Sequence, residues 1–166
     1  MAPAAHPADR DAIAIGDSVM LGAKGPLLER GFVVDAQKNR QASVGPDLLV
    51  GQGSQLPRNV VVHLGTNGTY SLDQCRELVD TAGQKRRVFL VTVHVDRPWA
   101  KPNNKVLRAC DAAYRADRVQ VIDWDWAATR HPGWLYSDGT HLRPEGATAF
   151  ARIMDEAITR AATSAQ

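Results

Sequence analysis

Three short polar segments carry residues whose types and spacing suit acyl-transfer chemistry. They are Gly16-Asp17-Ser18, Gly65-Thr66-Asn67 and Asp138-Gly139-Thr140-His141. A serine at the start of a helix can attack a carbonyl, and its own amide can stabilise the resulting oxyanion. An asparagine can donate its side-chain NH₂ to that oxyanion. An aspartate three residues before a histidine can accept the Nδ1–H, which leaves Nε2 free to remove the serine proton.

Each segment alone also has an ordinary structural interpretation. Asp17 or Ser18 can cap a helix, and Asn67 can occupy a turn. Asp138 can lie in a surface turn beside a solvated His141. Together, however, the segments supply a nucleophile, an oxyanion donor and an acid–base pair. This combination predicts serine-dependent acyl transfer through an acyl-enzyme, a reaction that needs no metal or organic cofactor.

Five short apolar runs alternate with helical patterns and predict the elements that position these residues. The runs are nearly continuous and β-branched, which is typical of parallel strands covered on both faces. We predict strands at 12–15, 32–34, 59–64, 88–93 and 119–123. We predict helices at 71–80 and 104–116, and a final helix that begins at Pro144. The alternation predicts a doubly wound α/β sandwich, whose active site lies at the carboxyl ends of the strands, where all three segments fall.

In this order, the three segments resemble the motif blocks of the SGNH, or GDSL-like, hydrolase family. The resemblance covers nearly the whole chain and implies a flavodoxin-like three-layer α/β/α sandwich with a five-stranded parallel sheet. It implies that Ser18 is the nucleophile, that His141 is the base and that Asp138 orients the base. It also implies that the Ser18 amide and the Asn67 side chain form part of the oxyanion hole.

Longer stretches resemble the extracellular domain of peptidoglycan O-acetyltransferases. They are residues 15–20, 63–68, 121–124 and 136–142. In that group the domain follows a membrane-embedded acyltransferase-3 domain, and acetyl passes from the serine to a glycan hydroxyl. The resemblance therefore implies O-acetylation of a cell-wall or other extracellular glycan. The implied partners are an acyl donor, a glycan acceptor and an acyltransferase-3 domain in the same or another chain.

The same residues leave the acyl acceptor open. A carbohydrate deacetylase or general carboxylesterase of this family would use an identical set and pass the acyl group to water. A non-catalytic glycan-binding domain is a second alternative, although it would have no need of a nucleophile. A flavodoxin-type cofactor binder is disfavoured, because the turn after the first strand lacks a Gly-rich phosphate loop.

The second block of the family departs from its pattern at one position. Asp35-Ala36 and Arg40-Gln41 resemble this block, but Asn39 replaces the glycine whose amide completes the oxyanion hole. Asparagine is the non-glycine residue that most readily adopts left-handed angles, so the Asn39 amide can still serve. Gly45 is the fallback donor, and Arg40 is a candidate substrate-binding residue.

An aromatic-rich loop is predicted at 124–136, just before the Asp138 turn. It holds three of the four Trp residues in a chain that is 6% aromatic. We expect Trp134 and Tyr136 to contact sugar rings, because they lie nearest the turn. We expect Trp124 and Trp126 to pack on the core.

Four further residues lie near predicted strand ends. Arg97 and Trp99 belong to a loop predicted at 96–104, where they either line the acceptor groove or are solvated. His63 and His94 lie within or at the end of strands, and we expect both to be core or supporting residues. No third ligand accompanies them, so no metal site is predicted.

Length and composition restrict the organisation of the chain. Its 166 residues, 44% hydrophobic and 23% charged, fit one globular domain. We predict a flexible tail at 1–10, a catalytic domain at 11–162 and a C-terminal tail at 163–166. The scattered charges and the net charge of +2 predict no nucleic-acid partner.

The location of the domain follows from the resemblance more than from composition. No apolar run reaches the ~18 residues of a membrane span, and the first ten residues lack the apolar core of a signal peptide. These observations fit a cytosolic protein or a processed part of a longer one. The resemblance favours an outward-facing, extracytoplasmic domain of a membrane-anchored protein. Cys75 and Cys110 are either two half-buried thiols or a disulfide, and a disulfide would suit an oxidising compartment.

Overall fold

A five-stranded parallel sheet forms the middle layer of the protein, as predicted. The structure is a computed structural model that describes residues 11–164. Its strands are β1 (Ala12–Gly16), β2 (Val33–Ala36), β3 (Asn59–His63), β4 (Arg87–Val91) and β5 (Val119–Ile122). They lie side by side in the order β2-β1-β3-β4-β5, and every pair is parallel. The order reverses between β1 and β3, and a crevice opens at such a switch point, beyond the carboxyl ends of the strands.

Helices cover both faces of the sheet. Within residues 11–164 they are α1 (Ser18–Gly22), α2 (Lys24–Glu29), α3 (Gly45–Gln52), α4 (Leu72–Ala82), α5 (Ala100–Ala112), α6 (Trp124–Arg130) and α7 (Pro144–Thr163). One core lies between the sheet and α1, α2, α6 and α7, and includes Met20, Trp124 and Phe150. The opposite core lies under α3, α4 and α5 and includes Leu78 and Leu107. The predicted three-layer α/β/α sandwich is therefore confirmed.

The predicted division of the chain differs from the structure at its C-terminal boundary. The tail predicted at residues 1–10 lies outside the described residues, as do residues 165 and 166. Thr163, assigned to the C-terminal tail, is instead the last residue of α7. Along α7, Phe150 and Met154 are fully buried, which is the helical spacing that the sequence predicted.

Most predicted boundaries differ from the structure by one or more residues, and two of the differences have local reasons. Strand β2 begins at Val33 rather than Phe32, because the Phe32 amide donates to the Leu27 carbonyl at the end of α2. Helix α5 begins at Ala100, four residues before the predicted start. Pro102 lies in its first turn, where the missing N–H breaks no helical hydrogen bond. Helix α1 begins at Ser18, as the sequence indicated, whereas helices α2 and α3 are short and were not predicted.

The segment at 124–136 is not the loop that the sequence indicated. Residues Trp124–Arg130 form α6, whose cap is Asp123, and Pro132–Trp134 form a 3₁₀ turn. Trp124 is fully buried, as expected. Trp126 does not pack on the core; it is 55% exposed, and the Arg130 guanidinium lies 4.1 Å from its ring centroid.

A disulfide joins Cys75 of α4 to Cys110 of α5. The two helices lie side by side on one face of the sheet, with a Cα–Cα distance of 6.3 Å at the bridge. The bridge closes a sequence separation of 35 residues, so it restricts the unfolded chain as well as the packing of these helices. Of the helices in residues 11–164, none is both long and apolar enough to cross a membrane.

Candidate active site

Ser18 lies at the first turn of α1, two residues after β1 ends. Asp17 caps the helix, because its carboxylate accepts a hydrogen bond from the Val19 amide at 3.0 Å. Gly16 must lack a side chain here, since a Cβ would collide with the Met20 side chain below it. The strand–turn–helix connection thus aims the Ser18 hydroxyl away from the sheet, beside the unpaired N–H groups that begin α1.

Ser18, His141 and Asp138 form a continuous hydrogen-bonded line. The Ser18 Oγ lies 3.0 Å from Nε2 of His141, and Nδ1 of His141 lies 2.6 Å from Oδ2 of Asp138. Because an ionised carboxylate only accepts, Nδ1 carries the hydrogen in this pair and Nε2 accepts from Ser18. The structure therefore brings together three residues that are separated by up to 123 positions in the chain.

The turn that carries His141 is rigidly built. The second oxygen of Asp138 accepts from the amides of Thr140 and His141, at 2.9 and 3.0 Å. Partial burial raises the pKa of Asp138, but the His141 side chain and the two amides lower it further, so the net pKa lies below its usual value. Asp138 is therefore ionised at neutral pH and accepts the Nδ1–H of His141.

A buried aspartate–histidine pair supports the serine turn. The Asp17 carboxylate lies 3.3 Å from Nδ1 of His63, and both side chains are almost completely buried. Burial raises the pKa of Asp17, but the charge and hydrogen bond of His63 and the Val19 amide outweigh it and leave the pKa lowered. Asp17 is thus charged and fixed in place directly before Ser18. His63 is a buried supporting residue, as expected.

The Asn67 side chain reaches the site from the end of β3. Its Nδ2 donates to the Arg40 carbonyl at 3.2 Å, while its own backbone carbonyl accepts from Gln41. An amide NH₂ has two hydrogens, so one remains available beside Ser18. Asn67 and Ser18 line the same two clefts, which is the arrangement expected of an oxyanion donor.

Asn39 adopts the left-handed backbone that the sequence analysis anticipated. Its φ is 60°, and no other non-glycine residue between 11 and 164 has a positive φ. Asn39 lines a cleft together with Ser18 and Asn67. Gly45, the fallback donor, lines neither cleft next to Ser18; it begins α3, is buried, and its missing side chain leaves room for Leu78.

Asn103 is a structural contributor that the sequence analysis missed. It lies on α5, yet its side chain is buried and donates to the carbonyls of Gly65 and Gly68, at 2.9 and 2.8 Å. It also accepts from the Tyr70 amide. These bonds fix the loop that carries Asn67. The first residue of this loop, Gly65, has a φ of 110°. The signal was a polar residue at a core-facing helical position, inside a segment assigned to a loop.

Two clefts meet at Ser18. One, of about 440 Å³, is polar and includes Arg97 and Trp99. The other, of about 500 Å³, is lined on its far side by Leu21, Gly22 and Lys38. His141 and Asn67 border both clefts. Ser18 is therefore reachable from two directions.

Three candidate substrate-binding residues are not at the clefts. The Arg40 guanidinium is only 9% exposed and donates to the carbonyls of Gly16 and Asp35 and to the Asp35 carboxylate. Trp134 stacks on His131, with ring centroids 3.9 Å apart. Tyr136 is exposed and lies against the Arg143 guanidinium. Arg40 thus ties the second block to β1 and β2, while Trp134 packs the segment before the Asp138 turn.

The two strand-end histidines do not form a metal site. Nδ1 of His94 lies 2.6 Å from the Asp125 carboxylate, whereas the buried His63 is paired with Asp17. Among residues 11–164 there is no group of three or more His, Cys, Asp or Glu side chains that could hold a metal ion.

This fold and this set of motif residues define a class of serine hydrolases. A parallel sheet with a serine after its first strand, a Gly-Thr-Asn turn after its third and an Asp-x-x-His turn near the last helix is the SGNH, or GDSL-like, arrangement. The chain belongs to the SGNH hydrolase family. No protein-family model matches the sequence.

Within this family the chain is related to O-acetyltransferases. It is 32% identical over 158 residues to YrhL of Bacillus subtilis, named as a candidate peptidoglycan O-acetyltransferase, and 30% identical over 155 residues to the O-acetyltransferase OatA of Staphylococcus aureus. These matches cover 92% and 90% of this chain, but only 24% and 25% of the relatives. The chain therefore spans about a quarter of the length of the curated relatives it matches.

A solved structure shows the same fold. The C-terminal catalytic domain of the peptidoglycan O-acetyltransferase OatA of Streptococcus pneumoniae, with a methylsulfonyl adduct, superposes with a TM-score of 0.75. The match covers 93% of each chain at 22% identity, a level at which it speaks for the fold alone.

Proposed function

We propose that this domain transfers an acetyl group through Ser18 to a hydroxyl of a cell-wall or other extracellular glycan. The observation that carries the proposal is the hydrogen-bonded line from Ser18 through His141 to Asp138, which lies where two clefts meet. The O-acetyltransferase names of the relatives support the choice of acyl group and acceptor.

The first half-reaction forms the acyl-enzyme. Nε2 of His141 takes the proton of Ser18 as Oγ attacks the ester carbonyl of the acyl donor. The Ser18 amide, the Asn39 amide and the free N–H of Asn67 hold the oxyanion of the tetrahedral intermediate. The intermediate then expels the donor's alcohol, which takes its proton from His141, and acetyl remains on Ser18.

The second half-reaction returns the enzyme to its starting state. A glycan hydroxyl enters, His141 removes its proton, and the resulting alkoxide attacks the acetyl carbonyl. The same donors hold the second oxyanion. Collapse of this intermediate releases the acetylated glycan and gives the proton on His141 back to Ser18. Asp138 stays ionised throughout and stabilises the imidazolium in both steps.

The two clefts divide the substrates between them. The polar cleft offers the Trp99 ring and the Arg97 guanidinium, which suit the apolar face and the hydroxyl groups of a sugar. Its wall is firm, because Nε1 of Trp99 donates to the Thr66 carbonyl at 3.2 Å. The other cleft has the apolar Leu21 beside Lys38, which suits an acyl donor with a short apolar group.

The location and the membrane partner belong to the same proposal. The disulfide between Cys75 and Cys110 suits an oxidising, extracytoplasmic compartment. The relatives are about four times as long as the aligned region, so they contain further segments that could deliver the acyl group. Both observations are explained if this domain faces outward and receives acyl groups from a membrane-embedded acyltransferase-3 domain, in the same or another chain.

Hydrolysis is the second candidate function. His141 and Asp138 are 49% and 50% exposed in their side chains, so water can reach the acyl-enzyme. In the absence of a glycan the enzyme should then act as an esterase. The ratio of transfer to hydrolysis decides which activity dominates.

The test is to incubate the protein with an aryl acetate and a chito-oligosaccharide, and to measure sugar mass and free acetate together. Ser18→Ala should abolish both products and keep the fold, while Ser54→Ala, at an exposed serine on a distant 3₁₀ turn, should change neither. Ser18-dependent sugar acetylation supports the transferase. Free acetate alone indicates an esterase, and unchanged turnover in Ser18→Ala refutes both.

A further inference from the structure

A cleft of about 670 Å³ lies at the amino ends of the strands, at the edge of the sheet opposite the one that carries Ser18. Its cationic side chains belong to residues just before or at the start of β3, β4 and β5: Arg58, Lys85, Arg86, Arg87 and Arg118. We call it the basic cleft. Ser18 follows the carboxyl end of β1, so a five-residue strand, roughly 16 Å at ~3.3 Å per residue, separates the two sites.

The positively charged side chains of the basic cleft lie close together although like charges repel each other. The Arg87 amide donates to the Arg58 carbonyl at 2.8 Å, and the Val88 amide donates to the Arg118 carbonyl at 2.7 Å. An arginine therefore stands at or just before the start of each of three adjacent strands, where backbone hydrogen bonds join the strands. Like charges on neighbouring strands destabilise a sheet, so the closeness of these charges is unfavourable to the fold.

No carboxylate among residues 11–164 forms an ion pair with any of these five side chains. Of the two acidic residues at the cleft, Asp117 is paired with Arg115, and Asp11 accepts from the Arg58 backbone amide. Arg118 and Arg86 donate only to uncharged oxygens, which hold them in position and leave their charge uncompensated. The cleft is thus a preorganised cationic recess.

The shape and composition of the basic cleft favour some classes of anion over others. Arginine binds phosphate with two parallel hydrogen bonds, so phosphate groups are the natural ligand. The cleft lining contains no aromatic side chain, so it offers no surface on which nucleic-acid bases could stack. Arg86, Arg87 and Arg118 are only partly exposed, so a flat membrane would meet the rim and not these groups.

We propose that the basic cleft binds the phosphate groups of a flexible polyol-phosphate chain. Binding there would hold the domain on an anionic polymer while Ser18, at the opposite edge of the sheet, stays free to react. The inference does not depend on the acyl-transfer reaction, because none of its residues borders Ser18.

The test measures binding of poly(glycerol phosphate) to the full chain by calorimetry at several salt concentrations. The variant combines Arg58→Gln, Lys85→Gln and Arg87→Gln, and leaves Arg86 and Arg118 in their structural bonds. Its matched control combines Arg76→Gln, Lys101→Gln and Lys105→Gln, exposed cations on α4 and α5. The cleft variant should weaken binding at least tenfold and reduce the salt slope by about two, at ~0.7 per lost phosphate contact. The control should change affinity far less.

Aryl acetate hydrolysis should be unchanged in both variants, which checks that they are folded. Equal weakening in the two variants would show attraction to net charge and overturn the proposal. Stronger binding to phosphatidylglycerol vesicles, or equal binding to a single-stranded oligonucleotide, would overturn the assignment to a polyol phosphate. Absence of poly(glycerol phosphate) binding at low salt would refute the site itself.

Discussion

Substitution of Asn39 separates its backbone role from its side-chain role. Asn39 has a φ of 60°, a conformation that costs ordinary L-residues roughly 1–2 kcal/mol and that glycine adopts freely. Asn39→Ala and Asn39→Gly both remove the side chain, but only alanine resists the backbone angle. If Asn39 serves through its amide, the two variants should behave differently although they lose the same atoms.

The expected changes in stability and in kcat follow from the different backbone preferences of alanine and glycine. Asn39→Ala should lower the free energy of unfolding by about 1 kcal/mol, because asparagine tolerates left-handed angles better than alanine does. A conformer disfavoured by about 1–2 kcal/mol loses about 5- to 30-fold in population. The kcat of Asn39→Ala should therefore fall within that range, below the ~10²–10³ that complete loss of one oxyanion donor costs. Asn39→Gly should keep kcat within about twofold, since glycine allows the turn.

The assay is aryl acetate turnover, with stability read from urea unfolding of the same samples. Gln37→Ala is the control, because Gln37 is exposed in the same segment and does not have a positive φ. Equal loss of kcat in the alanine and glycine variants would show that the Asn39 side chain acts, and the backbone argument would fail. Full activity in both would show that alanine at position 39 holds the turn without loss, and the predicted backbone effect would be wrong.

Three other substitutions test the structure around the site. Replacing Cys75 and Cys110 by serine should lower the free energy of unfolding by about 3–4 kcal/mol, from the 35-residue separation, and an equal urea midpoint with and without reductant would contradict this. The pKa of Asp17 is lowered in the folded state, so the ionised carboxylate stabilises the fold above its ordinary pKa of 3.8, and this stabilisation is lost as the pH falls below that value. In urea unfolding of Asp17→Asn, the free energy of unfolding should therefore fall less steeply at acid pH. An unchanged dependence on pH would argue against this role of Asp17. Arg40→Met should reduce stability by roughly 1–3 kcal/mol, because the Gly16 and Asp35 oxygens lose their donor, and should lower kcat by loosening the segment whose Arg40 carbonyl holds Asn67; a rise in KM alone would restore the substrate-binding role.

The sheet and the three reactive segments could be predicted because their signals are local. Strands β1 and β3 are runs of buried, mostly apolar residues, and the segments that carry Ser18 and Asn67 stand directly after them. The chemistry predicted for Ser18 and Asn67 is readable from residue type and from position after a strand, and that predicted for His141 from its spacing to Asp138. Their meeting point then follows from the geometry of a parallel sheet, without knowledge of any side-chain contact.

The supporting contacts could not be predicted in this way, since each depends on which distant group the fold brings near. Arg40 illustrates the difficulty. An arginine beside a catalytic segment is as suited to bind substrate as to cap carbonyls, and only the positions of Gly16 and Asp35 decide between the two. Trp134 is similar, because an aromatic ring near the Asp138 turn stacks on a sugar only if no closer ring, such as His131, already covers it.

Asn103 shows where a contradiction inside the sequence is itself informative. An amide on the buried side of a helix must find hydrogen-bond partners, because burying it unpaired costs about 1–3 kcal/mol. Its partners, Gly65 and Gly68, bracket Asn67 and leave that residue little freedom to move. A polar residue that interrupts the apolar pattern of α5 therefore positions Asn67, the candidate oxyanion donor. A buried amide beside a strand end indicates a loop whose geometry matters, even where its partners are unknown.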